Sequence, residues 1–207
     1  MATRIPAHAS TMRKAPRQAR SRATVEAILT AGAQLLGRRG WARFTTNEVA
    51  EAAGVSIGSL YQYFPNKGVL VEAITTRHFD EVLAVLSAID DETMPVVQRV
   101  EQLVRGMIGV HNINPALHRV LLEEAPHIES LKSAHETFET EYLRRYTALV
   151  ASSGNRRSRE SVVVAAQVLS AAVAGVIHDA AHRGTLGTPI LKRELVGMMT
   201  AYLLNRC

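Results

Sequence analysis

The strongest constraint on the fold of this chain is the stretch from Phe44 to Lys67, which reads FTTNEVAEAAGVSIGSLYQYFPNK. Thr45 and Glu48 form a Thr-x-x-Glu capping box, which satisfies free amides at the start of a helix. Gly54 can take the left-handed conformation that ends this helix. Ser56 can then cap a second helix. The stretch therefore predicts two short helices joined by a tight turn.

The second helix of this pair has an inner and an outer side. Leu60 and Phe64 lie one turn apart, so we expect both to point inward. A helix-turn-helix buries such a stripe and presents polar and small side chains where a DNA major groove could receive them. Two ordinary core helices would form the same pair without any role in DNA binding. The residues expected on the outer side are Ser56, Ile57, Ser59, Gln62 and Tyr63.

The order of residue types resembles the DNA-binding head of the TetR/AcrR (tetracycline-repressor) family of bacterial regulators. The resemblance covers about Thr24 to Leu70 directly, and the rest of the chain only by length and helical layout. It is specific, because more than a dozen residue types are fixed across one contiguous segment. The matching positions are Thr45-x-x-x-Val49-Ala50-x-x-Ala53-Gly54-Val55-Ser56-x-Gly58-x-Leu60-Tyr61-x-Tyr63-Phe64-x-x-Lys67.

Basic side chains are concentrated in the N-terminal third of the chain. Residues 1–70 hold ten Lys or Arg against three Glu, whereas the remaining residues hold fourteen basic and sixteen acidic side chains. A polyanionic partner such as DNA would be drawn to the N-terminal third. Residues 1–21 are predicted to be a flexible basic arm, whose Arg-rich end could follow phosphates or a minor groove, or could only solubilise the chain.

The sequence predicts an all-α fold, because no segment shows the alternation of a strand. Residues 22–68 are predicted to form the helix-turn-helix DNA-binding domain, whose first helix runs from about Arg22 to Arg39 and ends at Gly40. Residues 69–207 are predicted to form the larger effector-binding and dimerisation domain. The helices predicted there are Gly68–Ile89, Pro95–His111, one starting at Asn114–Pro115, Ile128–Ala151, Arg159–Arg183 and Pro189–Asn205.

Composition favours a cytoplasmic protein. The single Cys207 permits no disulfide within the chain, as is usual in a reducing compartment. No apolar run is expected to reach the roughly 20 residues that cross a bilayer. The N-terminus lacks the apolar block of a secretion signal.

The last two predicted helices carry residues suited to close helix packing. They could form half of a four-helix bundle between two subunits, or they could only complete the core of the monomer. The resemblance favours the first alternative, a homodimer through the two C-terminal helices. The residues concerned are Ala165, Ala166, Ser170, Ala171, Ala174, Gly175, Leu191, Leu195, Met198, Met199, Tyr202 and Leu203.

The resemblance implies that the head binds double-stranded DNA, and most of the affinity should come from phosphates. It implies phosphate contacts from Thr45, Ser56, Tyr61, Tyr63 and Lys67.

Few groups remain to read bases. Gln62 can bond a base edge bidentately, Ser59 can bond several bases, and Ile57 can meet a thymine methyl group. Gly58 lets the backbone approach where a side chain would collide. Since each subunit reads so little sequence, we expect a palindromic site bound by two heads.

The resemblance also implies that residues from about 71 onward bind a small effector, which would shift the connecting helix and the spacing of the two heads. A hydrophobic or amphipathic molecule fits the mixed residue types of the candidate lining. Each candidate could instead be an ordinary core residue. The candidates are Phe79, Leu103, Met107, His111, Leu121, Phe138, Tyr142 and His178.

No metal site, cofactor or catalytic site is predicted. His178 and His182 stand four residues apart, but no third ligand accompanies them, so interfacial hydrogen bonding is the preferred interpretation. Glu123 and Glu124 are expected at the solvated end of a helix. An enzyme would need an activated nucleophile, paired carboxylates or a phosphate loop. The expected function is a ligand-responsive repressor, and the alternatives are an effector-independent architectural DNA-binding protein or, less favoured, an enzyme with a cryptic site in the helical bundle.

Overall fold

The computed structural model describes residues 19–124, 131–155 and 157–204. Over these ranges the regular structure consists of nine helices and no strand, which confirms the all-α prediction. The helices are α1 (Ala19–Arg43), α2 (Thr46–Ala52), α3 (Ile57–Tyr63), α4 (Lys67–Ser87), α5 (Val96–Ile113), α6 (Pro115–Glu123), α7 (Lys132–Ala151), α8 (Arg159–His182) and α9 (Pro189–Leu204).

Helices α1 to α3 form the head. Thr45 and Ser56 cap α2 and α3 as predicted, since their hydroxyls accept from the amides of Glu48 and Ser59. In α1 the regular backbone breaks at Gly40, whose φ of 68° lies in the left-handed region, and one more turn follows the break. Helix α1 begins at Ala19, so the last residues of the predicted flexible arm are helical and the rest of that arm lies outside the described residues.

The head shares its core with the body. Phe44, Leu60 and Phe64 are fully buried there with Leu70 from α4, and Leu117 from α6 is buried beside them. The backbones of α1 and α6 approach so closely that a Cβ added at Gly37 would lie 2.7 Å from the Leu117 amide nitrogen. Asn114, which caps α6, also donates its side-chain amide to the Ala33 carbonyl at 2.9 Å. Helix α6 is therefore built into the head as well as the body.

The body core lies between α4, α5, α7, α8 and α9. Its fully buried members include Leu86, Leu103, Tyr146, Ala166 and Met199, one from each of these helices. Helix α7 is described from Lys132, so the four residues predicted before it fall partly outside the described part of the chain.

Helix α8 corrects the expectation that no segment is apolar enough to span a bilayer. By length and composition it passes that test, with a mean hydropathy of 1.9 over its most apolar window. A third of this window is buried in the body, where Leu169 and Val173 belong to the core. Val164 and Val168, by contrast, are 52% and 50% exposed. The helix is a core element that also has an apolar outer face.

Candidate DNA-binding surface and effector cavity

Helix α3 exposes most of the residues predicted to meet DNA. Ile57 is 37% exposed and Tyr61 39% exposed, and Gly58 and Gln62 also face solvent. Ser59 is half-buried, and its hydroxyl lies 2.9 Å from that of the capping Ser56. The exposed start and outer side of α3 thus form one continuous surface.

The start of α2 lies beside this surface. The Thr45 hydroxyl donates to the Glu48 carboxylate at 2.9 Å, and Glu48 forms an ion pair with Arg39 at 3.3 Å. The Thr46 hydroxyl lies 3.0 Å from the hydroxyl of Tyr61, which fixes the Tyr61 phenol against α2. The predicted phosphate contacts Thr45 and Tyr61 are therefore brought together.

Tyr63 was expected on the outer side of α3, and this expectation is wrong. The residue is only 8% exposed and belongs to the head core. It follows the fully buried Leu60 by three positions, so both lie on the inner side of the helix. Its side chain is therefore not part of the exposed surface.

Lys67 is the first residue of α4, but its ammonium group is engaged within the head. It donates to the carbonyl of Trp41 and lies 4.3 Å from the centroid of the Trp41 ring. Burial lowers the pKa of Lys67 below its usual range. An ammonium has three N–H donors, so one contact with Trp41 leaves others for a phosphate. Trp41 and the capping Asn66 are contributors that the sequence argument did not assign to this site.

A cavity of about 130 Å³ lies in the body between α4, α5, α6, α7 and α8. Of the candidate effector residues, Leu103 lies in the body core and does not line the cavity, and His178 does not line it either. His178 lies next to it, with its ring 6.0 Å from that of His118. The candidates that the structure brings together around the cavity are Phe79, Met107, His111, Leu121, Phe138 and Tyr142.

One wall of the cavity is aromatic. The rings of Phe79 and Phe138 stack with centroids 4.1 Å apart, and Tyr142 lies 5.2 Å from Phe138. The Tyr142 hydroxyl donates to that of Tyr146 at 3.5 Å, and burial raises the pKa of Tyr142. An apolar wall with few polar groups suits a hydrophobic or amphipathic molecule.

A group of three buried histidines also lines the cavity, and only one of them, His111, was among the predicted lining residues. The buried rings of His78, His111 and His118 meet with centroids 4.1 to 5.8 Å apart. Burial lowers the pKa of His78 to about 3 and of His118 to about 2, because desolvation disfavours the imidazolium ion. The three residues could hold a metal ion, which the prediction of no metal site did not foresee. Their spacing gave no signal, since each lies on a different helix.

The cavity and the head are joined by α6. His118 and Leu121 line the cavity, and at the end of the helix the Glu124 carboxylate accepts the Trp41 backbone N–H at 2.7 Å. The expectation of a solvated helix end is therefore wrong for Glu124. A Cβ added at Gly40 would lie 2.9 Å from a Glu124 oxygen, so the glycine also makes room for this contact.

The exposed helix-turn-helix and the cavity-bearing helical body define a DNA-binding transcriptional regulator. Residues 28–74 match the family model described as bacterial regulatory proteins, tetR family. Residues 95–203 match the model described as tetracyclin repressor-like, C-terminal domain. The chain belongs to the tetR family, which confirms the resemblance seen in its sequence. The family and fold are those of transcriptional regulators and not of enzymes.

Curated relatives share part of the sequence. The nucleoid occlusion factor SlmA of Marinomonas sp. (strain MWYL1) is 33% identical over 98 residues, which is 47% of this chain and 50% of that protein. The SlmA of Vibrio cholerae serotype O1 is 27% identical over 161 residues, or 76% of this chain and 82% of that protein. The chain thus spans about half the length of the first of these relatives.

Solved structures share the fold over most of the chain. The fatty acid degradation regulator FadR from Bacillus halodurans superposes with a TM-score of 0.73 at 16% identity, covering 88% of this chain and 95% of FadR. SmeT, solved with triclosan, gives 0.67 at 24% identity, covering 86% and 90%. AibR, solved with isovaleryl coenzyme A and operator DNA, gives 0.65 at 19% identity, covering 86% and 96%.

Proposed function

We propose that this regulator is a repressor that binds a palindromic operator as a homodimer and leaves it when a small hydrophobic or amphipathic effector enters the body cavity. One observation carries the proposal: α6 lines the cavity with Leu121 and contacts the head with Glu124. An effector that displaces this short helix changes the support of the head directly.

DNA is proposed to lie across the exposed side of α3 and the start of α2. Thr45, Ser56, Tyr61 and Lys67 supply hydroxyls, helix-start amides and one charge to phosphates. Base reading is left to α3, where the exposed Gln62 can bond a base edge bidentately. Exposed head arginines add sequence-independent attraction; they are Arg20, Arg22, Arg38, Arg39 and Arg43.

The proposed partner in the dimer is a second copy of this chain, packed against α8 and α9. Many of the small and apolar residues predicted there, such as Ala166 and Met199, are already buried in the monomer. Met198 on α9, which was also predicted there, remains exposed, as does Val168 on α8, which was not. Packing these faces about a twofold axis removes them from water and forms a four-helix bundle.

Effector binding is proposed to act through the contacts of α6 with α1. Asn114 donates to Ala33 at its beginning, and Glu124 accepts from Trp41 at its end. The Trp41 carbonyl also accepts a hydrogen bond from the Lys67 ammonium. Two hydrogen bonds therefore connect the end of α6 to Lys67, which is a proposed phosphate contact. Release requires that the effector binds the displaced arrangement of α6 more tightly than the DNA-bound one.

The experiment is fluorescence anisotropy with labelled duplexes from the region upstream of the protein's own coding sequence, against a scrambled duplex. Lipophilic compounds and acyl coenzyme A thioesters are then added to the complex, because SmeT and AibR were solved with molecules of these kinds. Saturable release by one compound supports the proposal. Equal affinity for both duplexes, or no binding to either at low salt, contradicts it.

A second candidate function is DNA binding without an effector. It is favoured by the sequence relatives, which carry the name nucleoid occlusion factor. In that case anisotropy shows specific binding that none of the compounds reverses.

A further inference from the structure

Three histidines from three helices converge on one wall of the cavity. His78 comes from α4, His111 from α5 and His118 from α6. A ring nitrogen of each lies within 4.8 Å of those of the other two. Nitrogens bound to one tetrahedral metal ion lie about 3.4 Å apart, given metal–nitrogen distances near 2.0–2.1 Å. Small movements of the three rings therefore bring them to ligand distance.

His111 is already oriented as a ligand. Its Nδ1 lies 2.7 Å from the Met107 carbonyl oxygen, which can only accept, so Nδ1 carries the proton. The lone pair is then on Nε2. A backbone carbonyl on the outer nitrogen is a usual partner of metal-binding histidines, because it fixes both the tautomer and the ring orientation.

His118 has a ring nitrogen that lacks a hydrogen-bond partner among the described residues. Its Nε2 is buried and has no hydrogen-bond partner in the described part of the chain. Buried polar atoms without a partner are uncommon in folded proteins, and a bound ion is one of their explanations. Desolvation by burial lowers the pKa of all three histidines, so each offers a neutral imidazole near pH 7.

We propose that His78, His111 and His118 bind one divalent d-block cation of the Zn²⁺ class, one ion per chain. Three imidazoles suit Zn²⁺, Co²⁺, Ni²⁺ and Cu²⁺, whereas Mg²⁺ and Ca²⁺ require oxygen ligands. Among the described residues, the group that could hold a metal ion consists of these three histidines and contains no carboxylate.

The site differs from a purely structural zinc site. Such sites are closed by four protein ligands, whereas three leave one tetrahedral position for water or another donor. Since all three histidines line the cavity, that position belongs to the space where a small molecule would lie. A cavity molecule with a carboxylate, thiol or amine could therefore bind the ion directly.

The ion would also join three helices whose histidine rings contact one another at this point. α4 leads to the head through Lys67, and α6 leads to it through Glu124. An ion that binds the native state and not the unfolded chain raises the midpoint of thermal unfolding, and the rise grows with the logarithm of the ion concentration relative to its dissociation constant.

The test uses the purified full chain, treated with a chelator and dialysed, without DNA. Zn²⁺ is titrated by calorimetry, and Co²⁺ by its visible absorption, whose strong bands mark tetrahedral coordination. We expect one site per chain, a higher unfolding midpoint with Zn²⁺, and no effect of Mg²⁺. In ¹⁵N-labelled wild-type protein, the ring-nitrogen resonance of His111 Nε2 should shift on Zn²⁺ addition while Nδ1 keeps its proton.

His118→Gln and His111→Gln should each weaken binding by more than the roughly 10- to 100-fold that loss of an outer partner causes. His135→Gln is the matched control, because His135 lines the same cavity on α7 but lies outside the group of three. The wild-type resonances keep the test decisive even if a variant fails to fold.

Absence of saturable Zn²⁺ or Co²⁺ binding by the wild-type protein overturns the proposal, as does equal loss in His135→Gln. None of these measurements involves DNA or an effector. The metal site can therefore fail while the proposed repressor function stands, and the reverse also holds.

Discussion

The backbone N–H of Trp41 donates to the Glu124 carboxylate over 2.7 Å, which fastens the last turn of α1 to the end of α6. On its other side, the carbonyl of Trp41 accepts from the Lys67 ammonium. One residue of the head is thus bonded both to a helix that lines the cavity and to the first residue of α4. This geometry makes Trp41 the meeting point of the proposed effector signal and the proposed phosphate contact.

Glu124→Ala should weaken the connection between cavity and head. It removes a partly buried, charge-assisted hydrogen bond, so we expect the free energy of unfolding to fall by about 1–2 kcal/mol. Urea unfolding measures this loss. Effector release of DNA should become less complete, while the direct contacts of α3 are untouched. Glu124→Gln is the control, because its amide oxygen can still accept from Trp41; an equal defect in both variants would show that the charge, and not the bond, matters.

Tyr61 and Tyr63 form a matched pair for locating the DNA surface. Tyr61→Phe removes an exposed hydroxyl beside Thr46, so DNA affinity should fall about fivefold, the equivalent of a hydrogen bond of roughly 1 kcal/mol. Tyr63→Phe should leave DNA affinity unchanged, because that residue is buried in the head core. Anisotropy titrations of both variants on one operator duplex measure the difference. The reverse ranking would place DNA on another face of the head.

Gln62→Ala and Lys67→Ala should change different features of DNA binding. Loss of the Gln62 amide should reduce discrimination between operator and scrambled duplex by about 1–3 kcal/mol. Loss of Lys67 should weaken binding to every duplex and lower the slope of log affinity against log salt by about one. Lys67→Ala should also loosen the Trp41 turn, which Lys67→Gln would test by keeping a donor without the charge. Parallel losses on both duplexes in both variants would contradict these roles.

Gly37→Ala tests the close approach of α1 and α6. The added Cβ would lie 2.7 Å from the Leu117 amide nitrogen, a backbone atom that can move only with its helix. We expect a loss of stability of about 1–3 kcal/mol by overpacking, measured by urea unfolding. Gly109→Ala in α5 is the control, since no atom of the described residues beyond its own stretch of helix lies within 4 Å of the added Cβ. That change should stabilise the protein by about 0.5–1 kcal/mol, because alanine suits a helix better than glycine.

Local signals predicted where most helices begin. Thr45, Ser56 and the Asn114–Pro115 pair were read correctly, because a capping side chain and the amides it bonds lie within three residues of each other. Asn66, which caps α4, is a signal of the same kind, and the expected start of that helix was one residue late. Helix starts can therefore be predicted from short segments of the sequence.

The misplaced residues depend instead on contacts between distant segments. Tyr63 is buried because the head core closes over the inner side of α3. Glu124 finds Trp41 only because α6 packs along α1, eighty-three residues earlier in the chain. The histidine group requires α4, α5 and α6 to converge. Spacing along one helix drew attention to His178 and His182 instead, and His182 is exposed.

Val168→Glu should separate the proposed dimer without damaging the monomer. Val168 is 50% exposed on α8, so a carboxylate there remains in water in the monomer but would be buried unpaired in a helix bundle between subunits. We expect a monomer by light scattering, an unchanged helix content, and a large loss of affinity for a palindromic duplex, because two heads no longer bind as one unit. Gln102→Glu, at an exposed position on α5 outside the proposed interface, is the control for one added negative charge. A dimeric Val168→Glu protein with full operator affinity would move the subunit interface to another face.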